Sequence, residues 1–351
     1  MGKKYARKQM VKKQVYDVTY DFFSRDVDQS CRELGNEGLL RLLEEMLSIR
    51  QFELRAEAGY QRGKVGGFFH AYMGQEAIQV GAVAAIGRND SWWITTYRCH
   101  ALALLMGVTF REAMAELYGK VTGNAFGRGG SMHLYADRLL GGFGIVGGHV
   151  PIATGAAFSL KYQKQAGVAV CFLGDGAVAQ GAVHESLNLA ALWNLPCIYV
   201  IENNHWGMGT AVNRAIAVQP IAEHLAKAYG IQAYHFDGMD VLTCYAGFKH
   251  LYHEVKTHQR PVLVEAVTER FRGHSISDPG LYRTKEALET AKETDPIQQL
   301  KKTLLKRKVL TEKSFEALEA QVKEKILDAV KFAEESAIPE ETTLEEDVFA
   351  P

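Results

Sequence analysis

Apolar residues along this chain recur in two alternating rhythms. From Glu37 onward, Leu39, Leu40, Leu43, Met46, Leu47 and Ile49 fall at helical spacing. Further helices are predicted over 74–86, 110–118, 150–162, 179–193 and 241–257. Short apolar strands are predicted over 92–95, 168–173, 197–201, 232–236 and 262–267. The run at 168–173 contains no polar residue, as a strand buried on both sides requires. Strands that alternate with helices predict an α/β fold, a parallel sheet with helices on both faces. Residues 1–36 lack clear periodicity and read as an N-terminal basic arm. An α/β domain over 37–285 follows, then a C-terminal helical extension and acidic tail over 286–351. The stretch 120–148 is glycine-dense, yet Phe126, Met132, Leu134, Tyr135, Phe143 and Val146 punctuate it. Loops of that length inside a domain are functional or disordered, and the interleaved apolar residues favour function.

Composition narrows the class. With 47% apolar and 23% charged residues and a net charge of -1, the chain reads as a globular protein without the basic surplus that nucleic acid would demand. No nucleic-acid partner is expected. Five cysteines are scattered without a Cys-x-x-Cys pair, which argues against a disulfide framework or a zinc site and fits a reducing compartment. No apolar run approaches the ~18 residues of a membrane span, so no membrane partner is expected. The opening MGKKYARKQMVKKQVY faintly resembles a transit peptide, but lysine outnumbers arginine and serine is absent. A cytoplasmic location is therefore expected over a mitochondrial matrix or plastid one.

The chemistry concentrates between Gly174 and Asn204. A Gly-Asp-Gly follows the predicted strand at 168–173, and an Asn-Asn follows the next strand. A strand–helix–strand crossover makes the two strands parallel, so Asp175 and Asn204 should emerge at the same carboxyl edge, where open α/β sheets bind ligands. Taken singly, each pair is also an ordinary tight turn or loop start. A sharper rival is the loose dinucleotide fingerprint Gly174-x-Gly176-x-x-Ala179, with Glu202 as the ribose-binding acid. Asp175 weighs against it: a carboxylate between the two glycines would face the diphosphate unless a cation lay between. Magnesium, which joins oxygen ligands to phosphate oxygens, would suit Asp175, the Asn204 amide oxygen and a backbone carbonyl just beyond it.

The surrounding motifs carry a resemblance. Gly67-Phe68-Phe69-His70, Gly74-Gln75-Glu76-Ala77, Tyr97-Arg98-Cys99-His100, Gly129-Gly130-Ser131-Met132-His133, Gly144-Ile145-Val146-Gly147 and Gly273-His274-Ser275-Ile276-Ser277-Asp278-Pro279 occur in order around the Gly-Asp-Gly. Over roughly residues 40–335 the chain resembles the thiamine-diphosphate-dependent 2-oxo acid dehydrogenases, and within them the α subunits of pyruvate dehydrogenase components. The resemblance implies a thiamine-diphosphate-binding fold over 37–285. It implies magnesium on Asp175, Asn204 and the Trp206 carbonyl. The diphosphate would lie against Gly174, Gly176, Ala177, Tyr97 and Arg98, the aminopyrimidine side of the cofactor against Gly144 and Val146, and Arg270 would also bind the cofactor. His70, His100 and His274 would sit near the substrate or the diphosphate. Of the remaining histidines, His133 and His149 read as structural or loop contacts, and His250, His253 and His258 as a solvated helix face. His205 could be either.

The implied activity is oxidative decarboxylation of pyruvate with acetylation of a lipoyl group. Implied partners are a β subunit in an α2β2 heterotetramer and a dihydrolipoyl acetyltransferase core. The glutamate that activates the cofactor would lie on the β subunit, so this chain alone is expected to be inactive. Ser275 matches a serine phosphorylated in mitochondrial relatives. The second regulatory serine is missing from Gly280-Leu281-Tyr282, which favours a bacterial-type enzyme without kinase control. Arg272 stands where many relatives carry a histidine. Two alternatives stay open: acetoin or a branched-chain 2-oxo acid as substrate, and a non-catalytic nucleotide-binding module.

Overall fold

The computed structural model describes residues 10–24, 26–346 and 348. The first nine residues of the basic arm and the last residues of the acidic tail lie outside them. The chain opens with β1 (Met10–Val15), β2 (Val18–Phe23) and the long α1 (Val27–Gln61). Next come α2 (Glu76–Ile86), β3 (Trp92–Thr96), α3 (His100–Leu105), α4 (Phe110–Leu117) and β4 (Leu139–Phe143). The central units are α5 (Val150–Tyr162), β5 (Ala169–Gly174), α6 (Gly181–Leu192) and β6 (Cys197–Asn203). A short ribbon, β7 (Trp206–Gly207) and β8 (Thr210–Ala211), leads into α7 (Val212–Ala215) and α8 (Ile221–Tyr229). The chain then runs through β9 (Gln232–Asp237), α9 (Val241–His258), β10 (Val262–Val267), α10 (Lys285–Glu293), α11 (Pro296–Lys306) and α12 (Glu312–Glu335).

Eight strands form one sheet in the order β1-β2-β9-β10-β6-β5-β3-β4. Every pairing is parallel except the β1/β2 hairpin. Successive strand residues point to opposite faces, and the core divides accordingly. Val170, Phe172, Ile198 and Val200 pack beneath α1, α2 and α9, whereas Ala169, Cys171, Leu173, Tyr199 and Ile201 pack against α5, α6 and α8. The α/β class with both faces covered is thus the architecture observed.

Local chemistry sets several boundaries. Thr109 and Glu112 form a reciprocal capping box at the start of α4, and the Asp240 carboxylate accepts from the Leu242 N–H at the start of α9. Gly35 kinks α1 with φ 62, which is why helical periodicity becomes regular only beyond it. Three elements depart from expectation. Residues 10–23, expected as an arm, form the hairpin, with β2 beside β9 through Phe22 and His235. Within the glycine-dense stretch, Leu139–Phe143 becomes an edge strand. The C-terminal helices belong to the main core: Phe315, Val322, Ile326 and Ala329 of α12 are buried with α1 and α4.

Candidate active site

A cavity of about 690 Å³ opens at the carboxyl ends of β3, β5 and β6, lined also by the loops after β4 and β10. Its floor comes from the β5/β6 pair, whose register sets Gly174 opposite Glu202. Asp175 follows at once and is 2% exposed, and its Oδ2 has no hydrogen-bond partner among the described residues. Burial pushes this carboxyl up to about 6, against the opposing pull of the Gly176 N–H and the Arg270 guanidinium. On the neighbouring strand end, Asn204 donates through Nδ2 to Gln75 Oε1 (3.1 Å) and accepts through Oδ1 from the Trp206 N–H (3.3 Å). A Cβ at Gly176 would come within 3.1 Å of the Gly207 Cα, so the missing side chain lets the two turns close on each other.

Two buried guanidiniums line the same cavity. Arg98 donates to the Ala71 carbonyl (2.6 Å) and the His274 carbonyl (3.0 Å). Arg270 reaches the carbonyls of Arg272 (3.2 Å), Trp206 (3.4 Å) and Met208 (3.4 Å) and the Tyr282 hydroxyl (2.7 Å). Among the described residues neither arginine has an ion-pair partner. Burial and the nearby Arg270 depress Arg98 to about 10. Buried cations without carboxylates form a site that favours an anion.

The aromatic wall is a triangle. His70 lies 4.4 Å from Tyr97 and 5.1 Å from His274 between ring centroids, and Tyr97 lies 5.7 Å from His274. Among the described residues Nδ1 of both histidines lacks a partner. Burial, reinforced by Arg98, lowers His70 to about 3 and His274 to about 4, so both imidazoles are neutral at pH 7. Gly144 and Val146 also line the cavity, beside the exposed Ile145. Gly174, Gly176, Ala177 and Trp206 also border the cavity.

His100 is not brought to this cavity. It is fully buried, with Nδ1 against both Glu53 oxygens (3.1 Å each) and Nε2 against Ser131 Oγ (2.8 Å). Glu53 of α1 occupies one ring nitrogen and Ser131 of the glycine-dense stretch the other, which leaves none for a ligand. The undecided His205 faces a separate cavity of about 700 Å³ beside Glu269 (3.9 Å). His149 does border the main cavity, but its Nε2 is taken by the Phe172 carbonyl (2.7 Å). Arg272 pairs with Glu57 (3.0 Å), and Ser275 lines the cavity with its Oγ 2.9 Å from Ser277 Oγ.

Glu202 enters in a role different from a ribose-binding acid. It lies in the cavity floor, held by the Tyr72 hydroxyl and by Gln79 Nε2 (3.2 Å), and burial pushes it up to about 7. Its place at the end of an otherwise apolar strand is the signal that marks it in the sequence. Among the described residues no group of three or more His, Cys, Asp or Glu side chains converges as a metal site. The expected magnesium donors include only one such side chain, Asp175, so they form a different kind of set.

Comparison with known proteins decides the family. The sequence profile described as "Dehydrogenase E1 component" matches residues 44–342. The chain belongs to the dehydrogenase E1 component family. Similar proteins include "Pyruvate dehydrogenase E1 component subunit alpha" of Rickettsia felis, 42% identical over 315 residues, covering 89% of this chain and 96% of that protein. The protein of the same name from Rhizobium meliloti is 40% identical over 320 residues, covering 90% of this chain and 91% of its own. The chloroplastic "Pyruvate dehydrogenase E1 component subunit alpha-3" of Arabidopsis thaliana is 42% identical over 321 residues, covering 89% and 74%. Among the E1 chain's described residues, no helix is long and apolar enough to cross a membrane.

Proposed function

We propose that this chain is the α half of a thiamine-diphosphate- and magnesium-dependent E1 enzyme. It decarboxylates pyruvate oxidatively and passes the acetyl group to a lipoyl arm. The names of the similar E1 subunits support pyruvate over acetoin, a branched-chain acid or a non-catalytic nucleotide ligand. One observation carries the assignment of the site. A buried carboxylate with an unpartnered oxygen lies at the strand end next to the Asn204 carboxamide, in a cavity that also holds two guanidiniums without ion-pair partners. A site with that charge distribution suits a cation bridging to an anion.

Asp175, the Asn204 amide oxygen and the Trp206 carbonyl would hold magnesium. The Trp206 carbonyl accepts a long contact from Arg270 (3.4 Å), and the second lone pair of such an oxygen could serve a cation. Arg98 and Arg270, with the turn at Gly174, Gly176 and Ala177 and with Tyr97, would hold the diphosphate. Gly144 and Val146 would border the aminopyrimidine. When bound, the cofactor supplies the electron sink for decarboxylation. His70 and His274, both neutral, can offer N–H donors to the substrate carboxylate and to oxyanion charge as it develops. His100 has no part in this scheme beyond packing.

A β subunit is proposed to complete the site, in an α2β2 assembly docked on an acetyltransferase core in a bacterial-type cytoplasm. Phe68, Ile145 and Met208, at 62%, 76% and 65% exposure, ring the cavity with apolar surface that a partner would cover. The test is titration calorimetry of magnesium and thiamine diphosphate on the full chain with its β-type partner. Asp175→Asn should weaken binding on the order of a hundredfold without unfolding the protein. Unchanged affinity in that variant would show the assignment to be wrong.

A further inference from the structure

Gln75 belongs to the Gly74-Gln75-Glu76-Ala77 motif. It stands at the N-cap of α2, is 1% exposed and borders the cavity floor. Its backbone is held from both sides. Gly74 adopts φ +99, and a Cβ there would strike the Glu269 carbonyl. On the other side, Glu76 accepts from the Gly74 N–H (2.9 Å) and pairs with Arg50 (2.5 Å). The Gln75 side chain is therefore presented from a locked turn.

The orientation of its amide follows from its neighbours. The Trp206 N–H donates to Asn204 Oδ1, so Asn204 must present Nδ2 to Gln75. Only the oxygen of Gln75 can accept that bond. Its Nε2, with two N–H donors, is then turned away from Asn204, and it is buried without a partner among the described residues. A buried amide nitrogen without an acceptor is costly unless a ligand satisfies it.

Building on the proposed cofactor reading, we infer that Gln75 is a further anchor for the metal–diphosphate pair, acting through both ends of its side chain. The carbonyl end positions the Asn204 carboxamide so that Oδ1 stays on the Trp206 side. The amide end donates to an oxygen of the bound diphosphate. The N-terminus of α2 lies directly behind it and favours the same negative charge.

The experiment compares wild type, Gln75→Leu and Gln75→Glu as full chains with the β-type partner. It measures thiamine diphosphate affinity in excess magnesium and the melting temperature without ligand. Gln75→Leu removes both ends of the amide. Gln75→Glu keeps an acceptor for Asn204 but replaces the donor with an anion. Both variants should lose about tenfold or more in affinity, with Gln75→Glu the weaker binder, while ligand-free melting stays close to wild type. Wild-type affinity in either variant overturns the inference and leaves the cofactor reading standing. A wild-type protein that binds no thiamine diphosphate overturns both. Affinity lost only in proportion to a fall in ligand-free melting temperature reduces Gln75 to a structural residue and likewise overturns the inference.

Discussion

Asp175 places a carboxylate where folding alone disfavours one, buried beyond an apolar strand with one oxygen unpartnered. Its carboxyl is raised from the usual 3.8 to about 6, so the folded, ligand-free chain holds a proton that the unfolded chain gives up. Stability is therefore fullest below pH 4 as far as this group is concerned, and it falls as pH rises towards 6. Asp175→Asn removes that loss. In metal-free urea unfolding it should gain up to about 3 kcal/mol over wild type at pH 8 and much less at pH 4. A constant gap across that range would place the charge elsewhere. His100 predicts the reverse pattern. His100→Ala leaves Glu53 buried with, among the described residues, the Tyr72 N–H (2.9 Å) as its remaining hydrogen-bond partner, and should cost about 3 kcal/mol of stability. Calorimetric affinity for thiamine diphosphate should stay near wild type. A loss of affinity without a loss of stability would return His100 to the site.

At the scale of elements, α2 and α9 approach so closely that glycine is required at their crossing. A Cβ at Gly81 would lie 2.6 Å from the Cys244 Cβ and 2.8 Å from the Tyr245 nitrogen. Gly81→Ala gains about 1 kcal/mol of helix propensity but loses more to overpacking. A net destabilisation of about 1–2 kcal/mol is expected in denaturant unfolding, and a stabilised variant would contradict this packing. The β1/β2 hairpin shows a different side of element formation. Val18, Tyr20 and Phe22 alternate with Thr19 and Asp21, so a period-two signal was present in a stretch that otherwise reads as a basic arm. What makes it a strand is distant: the Tyr20 hydroxyl donates to Glu265 (3.0 Å), which also accepts from Asn203 Nδ2 (2.7 Å). The hairpin thus backs the strand end that carries Asn204.

For the whole molecule, the cavity is rich in donors and apolar walls but has an apolar, exposed rim. A partner that covers this rim would also exclude water from the chemistry. The purified chain alone is predicted to show no pyruvate-dependent acetylation of a lipoyl domain, with activity appearing on co-expression with the β-type subunit. Substantial turnover by the chain alone would refute a shared site. Hydrogen exchange at 144–147 and 207–209 should slow in the assembled enzyme relative to the free chain.

Local periodicity and connectivity carried the α/β class and most element positions, because both depend on neighbours in sequence. The strand at 262–267 appears where its apolar run lies, and β5 begins and ends one residue later than its run. The meeting of Asp175 with Asn204 was legible for the same reason: one crossover helix obliges both strands to end at one edge. Side-chain direction was not legible. His70 and His274 turn into the cavity, while His100, equally close to a glycine- and aromatic-rich motif, turns inward to Glu53, 47 residues earlier in the chain. The rotation of a helix and the arrival of a distant acid decide such cases, and neither is written in local spacing. By itself the sequence determined the fold class and the paired acid and amide at one sheet edge. Only the tertiary structure decided which histidines face the cavity and that Gln75 accepts a hydrogen bond from Asn204, because those contacts join segments that packing alone brings together.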